Sequence, residues 1–216
     1  MWAIWSARRK AIHEGIFQSP QSTHAFVNRY ISDLEIVGVT NPRAAQGPVL
    51  HVTPAARPKA PPMGYAKIHV DAGVRFERGG AAAAICRDDQ GVYLGSSALV
   101  IYGVCDPTAL EAIACREALA LAEDLNLQQF IIASDCKEVV SDIQKGTGGR
   151  YSSIISEIKL SASTFNCNFI WEGRAVNYEA HRLAKFALSQ GSGRHLWLGN
   201  PHDLSCIPLY VDFGDE

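Results

Sequence analysis

No excess of positive charge is present: 20 Lys and Arg face 22 Asp and Glu, for a formal net charge of −2. That balance excludes whole-molecule attraction to a phosphate polymer, so any such grip must come from local clustering. No run of about 18 apolar residues marks a membrane span, and no membrane partner is expected. None of the six cysteines (Cys86, Cys105, Cys115, Cys136, Cys167, Cys206) belongs to a CxxC pair. Buried free thiols in a reducing compartment are the expectation, rather than disulfides or a zinc clip. Neither GxGxxG nor GxxxxGK(S/T) follows a strand, which argues against a nucleotide-binding α/β protein. The opening MWAIWSARRKAIHEGIF carries Arg8, Arg9 and Lys10 but no apolar signal core or small-residue cleavage site. Cytoplasm or nucleus is the expected location. There is no internal repeat.

What is present suffices for one core of ordinary size: 216 residues, 47% apolar and 19% charged. Trp2, Trp5, Ile12 and Ile16 recur at helical spacing, and residues 1–39 are expected to form an N-terminal helical segment. Residues 40–63 are proline-rich without apolar periodicity and read as a linker. Residues 64–190 then become regular. KIHVDAG, AAAAICRD and VYLGSSALVIYG predict three strands, the last two forming a hairpin through DDQG. A helix over TALEAIACREALALAEDL follows, with Pro107 suited to its first turn. Strand QQFIIAS, helices CKEVVSDIQK and YSSIISEIKLSAS, strand FNCNFIW and helix VNYEAHRLAKFAL complete the order βββαβααβα. This order requires a mixed sheet with helices on its faces, an α/β class. Residues 191–216, with Pro201 and Pro208, read as an irregular tail.

Three acidic residues occupy unlike settings: Asp71 in a strand, Glu111 in the first turn of a helix, Asp135 at the end of FIIASD. Carboxylates drawn together from distant positions repel one another and favour a divalent cation between them, and hard Mg²⁺ prefers such oxygens. Each also has an ordinary explanation. Thr108 and Glu111 make a T-x-x-E capping box, Asp135 and Glu138 a D-x-x-E N-cap, and Asp71 shares a strand face with Lys67 and His69 that could be solvated. His181 lies at the margin of the last helix's apolar stripe and fits a solvent edge, while Trp171 fits packing at a strand end.

Taken in order, KIHVDAG, GGAAAAICRDDQG, ALEAIACREALALAEDL, IIASDCKEVVSDI and NYEAHRLAKFAL resemble the successive motifs of the type 1 ribonuclease H family, in its plant non-LTR retrotransposon-like branch. The likeness covers about residues 64–190, and MWAIWSARRKAIHEG resembles the region preceding this domain in such polyproteins. The resemblance implies a ribonuclease H-like fold with a five-stranded mixed sheet, and hydrolysis of the RNA strand of RNA–DNA hybrids using two Mg²⁺ or Mn²⁺ ions. Asp71, Glu111 and Asp135 match the metal-holding acids. A loop histidine is replaced by Trp171 and a last-helix aspartate by His181, the fourth candidate catalytic position. Those departures leave open a module that binds nucleic acid or protein without turnover. Arg75, Arg78, Arg116, Lys137, Arg174, Asn177, Arg182 and Lys185 are candidates for hybrid contacts, and a monomer is expected.

Overall fold

The computed structural model describes residues 57–75, 79–147, 149–201, 204 and 207–214. The expected N-terminal helical segment, most of the linker, Arg78 and Cys206 lie outside them. Strands β1 (Ala66–Arg75), β2 (Gly79–Arg87) and β3 (Tyr93–Tyr102) are antiparallel neighbours. Helix α1 (Pro107–Asp124) leads to β4 (Gln129–Ser134), which pairs parallel with β1. Helices α2 (Lys137–Lys145) and α3 (Ser152–Ala162) precede β5 (Asn166–Trp171), parallel to β4, and α4 (Tyr178–Ala187) follows.

The sheet has six strands in the order β5-β4-β1-β2-β3-β6, one more than expected. The sixth, β6 (Gly193–Leu198), comes from the tail expected to be irregular and pairs antiparallel with β3. GRHLWL is too short and too close to glycines for its alternation to stand out. Tertiary anchoring overrides that weak local signal: Arg194 Nε donates to Glu117 (2.5 Å) and Nη2 to Asp124 (2.5 Å), both on α1. The described part of the linker also lies against the domain. Pro58 and Pro61 are buried, Lys59 bridges to Gly214, and Arg57 pairs with Asp212.

Alternation along β1 divides the interior. Ile68 and Val70 join Leu110, Ala114, Leu121, Phe130, Ile132 and Ile158 in the larger core beneath α1 and α3. Ala81, Ala83 and Ile85 of β2 face Leu183, Ala184 and Ala187 of α4 in a smaller core on the opposite side. The alanine-rich β2 lets helices approach closely. A Cβ at Gly80 would sit 2.2 Å from Leu110 Cδ1, and one at Gly73 3.2 Å from the Ala184 carbonyl oxygen.

A buried ion pair fixes α4. Arg87 Nε and Nη2 donate to Glu179 at 2.9 and 2.6 Å, and its remaining N–H groups reach the carbonyls of Gly91, Pro208 and Leu209. Every Arg87 nitrogen therefore has an acceptor, the condition under which a buried charge is tolerated. Among the described residues no helix is long and apolar enough to cross a membrane.

Candidate metal centre

The parallel pairing of β1 with β4 ends at Val70 and Ser134, while β1 runs on to Arg75. Past that point this edge of β1 has no ladder partner, and the freed backbone groups need others. Glu111 supplies one: its Oε1 accepts from the Ala72 N–H at 3.2 Å. The chain leaving β4 places Asp135 beside them. One carboxylate oxygen each from Asp71, Glu111 and Asp135 lies within 4.8 Å of the others.

The ordinary explanations for these residues do not hold. Asp106, not Thr108, caps α1, its Oδ1 accepting from Thr108 N (3.0 Å) and Ala109 N (3.1 Å), so Glu111 is free to turn toward β1. Cys136 is the N-cap residue of α2 and makes no side-chain cap bond, so Asp135 is not spent on that helix start. The Lys67–His69–Asp71 face is buried rather than solvated. Glu172, 105 residues along the chain from Lys67, closes over it. Lys67 Nζ donates to Glu172 Oε1 and to the Lys59 carbonyl, and His69 Nε2 lies 3.0 Å from Glu172 Oε2. Burial pushes the Glu172 carboxyl up, but the bonds from His69 and Lys67 outweigh it and hold the group below its ordinary value.

Electrostatics at the cluster run the other way. Burial, then the neighbouring Asp71 and Asp135, push Glu111 up to about 9, and Asp135 is raised by burial and by Asp71. Glu111 Oε2 is buried without a hydrogen-bond partner. Three convergent carboxylates with an orphaned buried oxygen are a poor arrangement for protein alone and a fitting donor set for a hard divalent cation.

His181 reaches in from α4, its Nδ1 2.7 Å from Asp71 Oδ2, so the expected solvent-edge histidine is a neighbour of the site. Arg174 Nη2 lies 3.5 Å from His181 Nε2. Trp171 is 52% exposed, not packed in a core, and its Nε1 donates to the Asp135 carbonyl at 3.1 Å. Lys137 sits beside that indole. The other candidate contacts are more dispersed. Arg75 is at the exposed end of β1, beside a cavity of about 440 Å³ also lined by Tyr102 and Gln190. Arg182 is exposed over Tyr178, and Lys185 is exposed. Arg116 is engaged by Glu157 at 2.8 Å. Asn177 is buried rather than at the surface: its Nδ2 donates to the Val70 carbonyl at 2.8 Å and ties the start of α4 to β1, while its Oδ1 has no partner.

A family model described as reverse transcriptase-like matches residues 69–187, spanning all three carboxylates and His181. The chain belongs to the reverse transcriptase-like family. Its described domain has a ribonuclease H-like fold, matching several solved structures. The N-terminal RNase H domain of rv2228c from Mycobacterium tuberculosis is 25% identical, with 57% of this chain and 93% of that one covered and a TM-score of 0.52. RNase H1 from the halophilic archaeon Halobacterium salinarum is 18% identical over 59% of this chain and 100% of its own, with a TM-score of 0.55. LC11-RNase H1, solved in complex with an RNA/DNA hybrid, is 20% identical over 57% of this chain and 99% of its own, with a TM-score of 0.51. No curated protein sequence matches significantly.

Proposed function

We propose that this member of the reverse transcriptase-like family is a metal-dependent endonuclease of the type 1 ribonuclease H kind, cutting the RNA strand of RNA–DNA hybrids. The observation that carries the reading is the convergence of the Asp71, Glu111 and Asp135 carboxylates, with Glu111 Oε2 buried and unpartnered. The 25% identity to an RNase H domain and the hybrid-bound state of LC11-RNase H1 support the choice of substrate. The order of motifs supports derivation from a plant-type retroelement.

Asp71, on the central strand, and Glu111 and Asp135 beside it would together hold the metal. A bound pair of Mg²⁺ or Mn²⁺ ions would supply Lewis acidity, an activated water and stabilisation of the leaving oxygen. The chain's own residues orient and shield. Glu111 is fixed by Ala72 N–H, Asp71 by His181, and Arg174 offers positive charge at the rim for a phosphate. In a chain of net charge −2 that rim must provide the phosphate contacts, so hybrid binding is weak and weakens further with salt.

The test is cleavage of a labelled hybrid by the full chain with Mg²⁺ and with Mn²⁺, with Asp71→Asn as control. Cleavage that disappears in the variant supports the proposal; a hybrid left intact with both metals overturns it. A second reading has its own observation: an imidazole, where the resemblance implies a carboxylate, already occupies Asp71 Oδ2. Only three acids then remain to hold metal, and the chain acts as a hybrid-binding module without turnover. Binding without hydrolysis identifies that case.

A further inference from the structure

Trp171 ends β5 opposite Ser134, one residue before Asp135. An indole that is half exposed forgoes burial worth having, since aromatic side chains carry the largest apolar area of any residue. This one is nevertheless held in a single orientation. Its only polar group is satisfied by the Asp135 carbonyl, the carbonyl of a candidate metal-holding residue. Its backbone is pinned by the next residue: the Glu172 N–H donates to the Ser134 carbonyl at 3.0 Å, and the Glu172 carboxylate is clamped by Lys67 and His69 on β1. The ring therefore presents an apolar face with no hydrogen-bonding demand of its own. The Lys137 ammonium stands 5.9 Å from its centroid. A fixed aromatic plane paired with a cation matches the two parts of a nucleotide, a flat or apolar sugar-base body and a phosphate.

We infer that Trp171 and Lys137 form a nucleotide subsite flanking the carboxylates, with the indole against a ribose of the RNA strand and the ammonium on the adjoining phosphate. The inference rests on the proposed hybrid substrate. The strand is fixed by proximity: the acids must meet the phosphate being cut, which belongs to RNA, and Trp171 is bonded to the backbone of one of them. Ribose rather than base is the partner because the bases of a hybrid are paired, while its sugars line a wide, shallow minor groove.

The experiment uses the full chain carrying Asp71→Asn to stop turnover, Mg²⁺, and a fluorescein-labelled hybrid followed by anisotropy, with a DNA duplex of the same sequence in parallel. Trp171→Ala is expected to weaken hybrid binding about five- to tenfold, the lower end of what aromatic contacts to nucleotides supply. Trp171→Phe should recover most of that loss. Lys137→Gln should flatten the dependence of log affinity on log salt by about one phosphate contact. Lys137→Gln should leave the thermal midpoint in place, and Trp171→Ala should lower it only by what one hydrogen bond and a half-exposed ring supply, with the protein still folded in the binding assay. Hybrid binding by Trp171→Ala as tight as in its parent overturns the subsite while leaving the hybrid reading intact. Equal weakening toward the DNA duplex overturns the ribose assignment. A parent that binds no hybrid overturns the substrate reading and the subsite together.

Discussion

Glu111→Gln should make the metal-free protein more stable and the metal-loaded protein useless. Glu111 titrates near 9 in the fold against an ordinary value of 4.5, because burial, Asp71 and Asp135 all penalise its charge. The folded protein therefore keeps a proton that the unfolded chain has already released. The consequence has a definite sign: stability falls as pH rises through the window from 4.5 to 9 and is level outside it. Each unit inside the window costs up to about 1.4 kcal/mol, so between pH 6 and pH 8 the parent should lose about 2–3 kcal/mol in EDTA. Gln keeps the acceptor for Ala72 N–H and carries no charge to penalise, so the variant should show little of that slope and gain most at pH 8. Metal reverses the comparison, since a cation needs the ionised carboxylate and its binding releases the proton. With Mg²⁺ the parent should gain stability increasingly toward pH 8, and Glu111→Gln should not. Urea unfolding across pH 6 to 8, with EDTA and with Mg²⁺, measures all four cases. A metal-free parent with a flat profile, or a variant with the parent's slope, refutes the account of the cluster.

Two further outcomes follow from the packing. Arg87→Met leaves Glu179 buried and unpaired and should cost about 3–5 kcal/mol in urea unfolding, whereas Arg87→Met with Glu179→Leu should recover most of it. Gly80→Ala drives a Cβ against Leu110 and the Gly73 carbonyl, and should lower stability by about 1–3 kcal/mol with no change in Mg²⁺ dependence.

That Asp71, Glu111 and Asp135 could meet was legible from their unlike local settings, since a cluster needs only that the topology bring them together. The first-turn placing of Glu111 was not, because α1 starts at Pro107 and carries no acid in its first turn. The buried polar stripe was not legible. Lys67 and His69 alternate as a wetted face would, and only Glu172, more than a hundred residues later, makes their burial tolerable. The capping readings failed for a related reason. Asp106 and Thr108 both stand at the start of α1 with good capping chemistry, and only the fold shows that Asp106 accepts the bonds and leaves Glu111 for β1. Trp171 misled because aromatic residues at strand ends usually pack inward. Here the indole instead donates to the Asp135 carbonyl beside the carboxylate cluster. Strand β6 was missed because six alternating residues between glycines carry little periodic signal, and Arg194 is what decides their fate.

Arg87 sets the boundaries of any working fragment. The family match stops at residue 187, yet the guanidinium that seats α4 finds two of its acceptors at Pro208 and Leu209. A clone trimmed to the matched region would keep the acids and discard part of the socket that steadies the helix bearing His181. Its silence in an assay would then report a loosened helix, and chemistry should be judged only on protein that extends through residue 214.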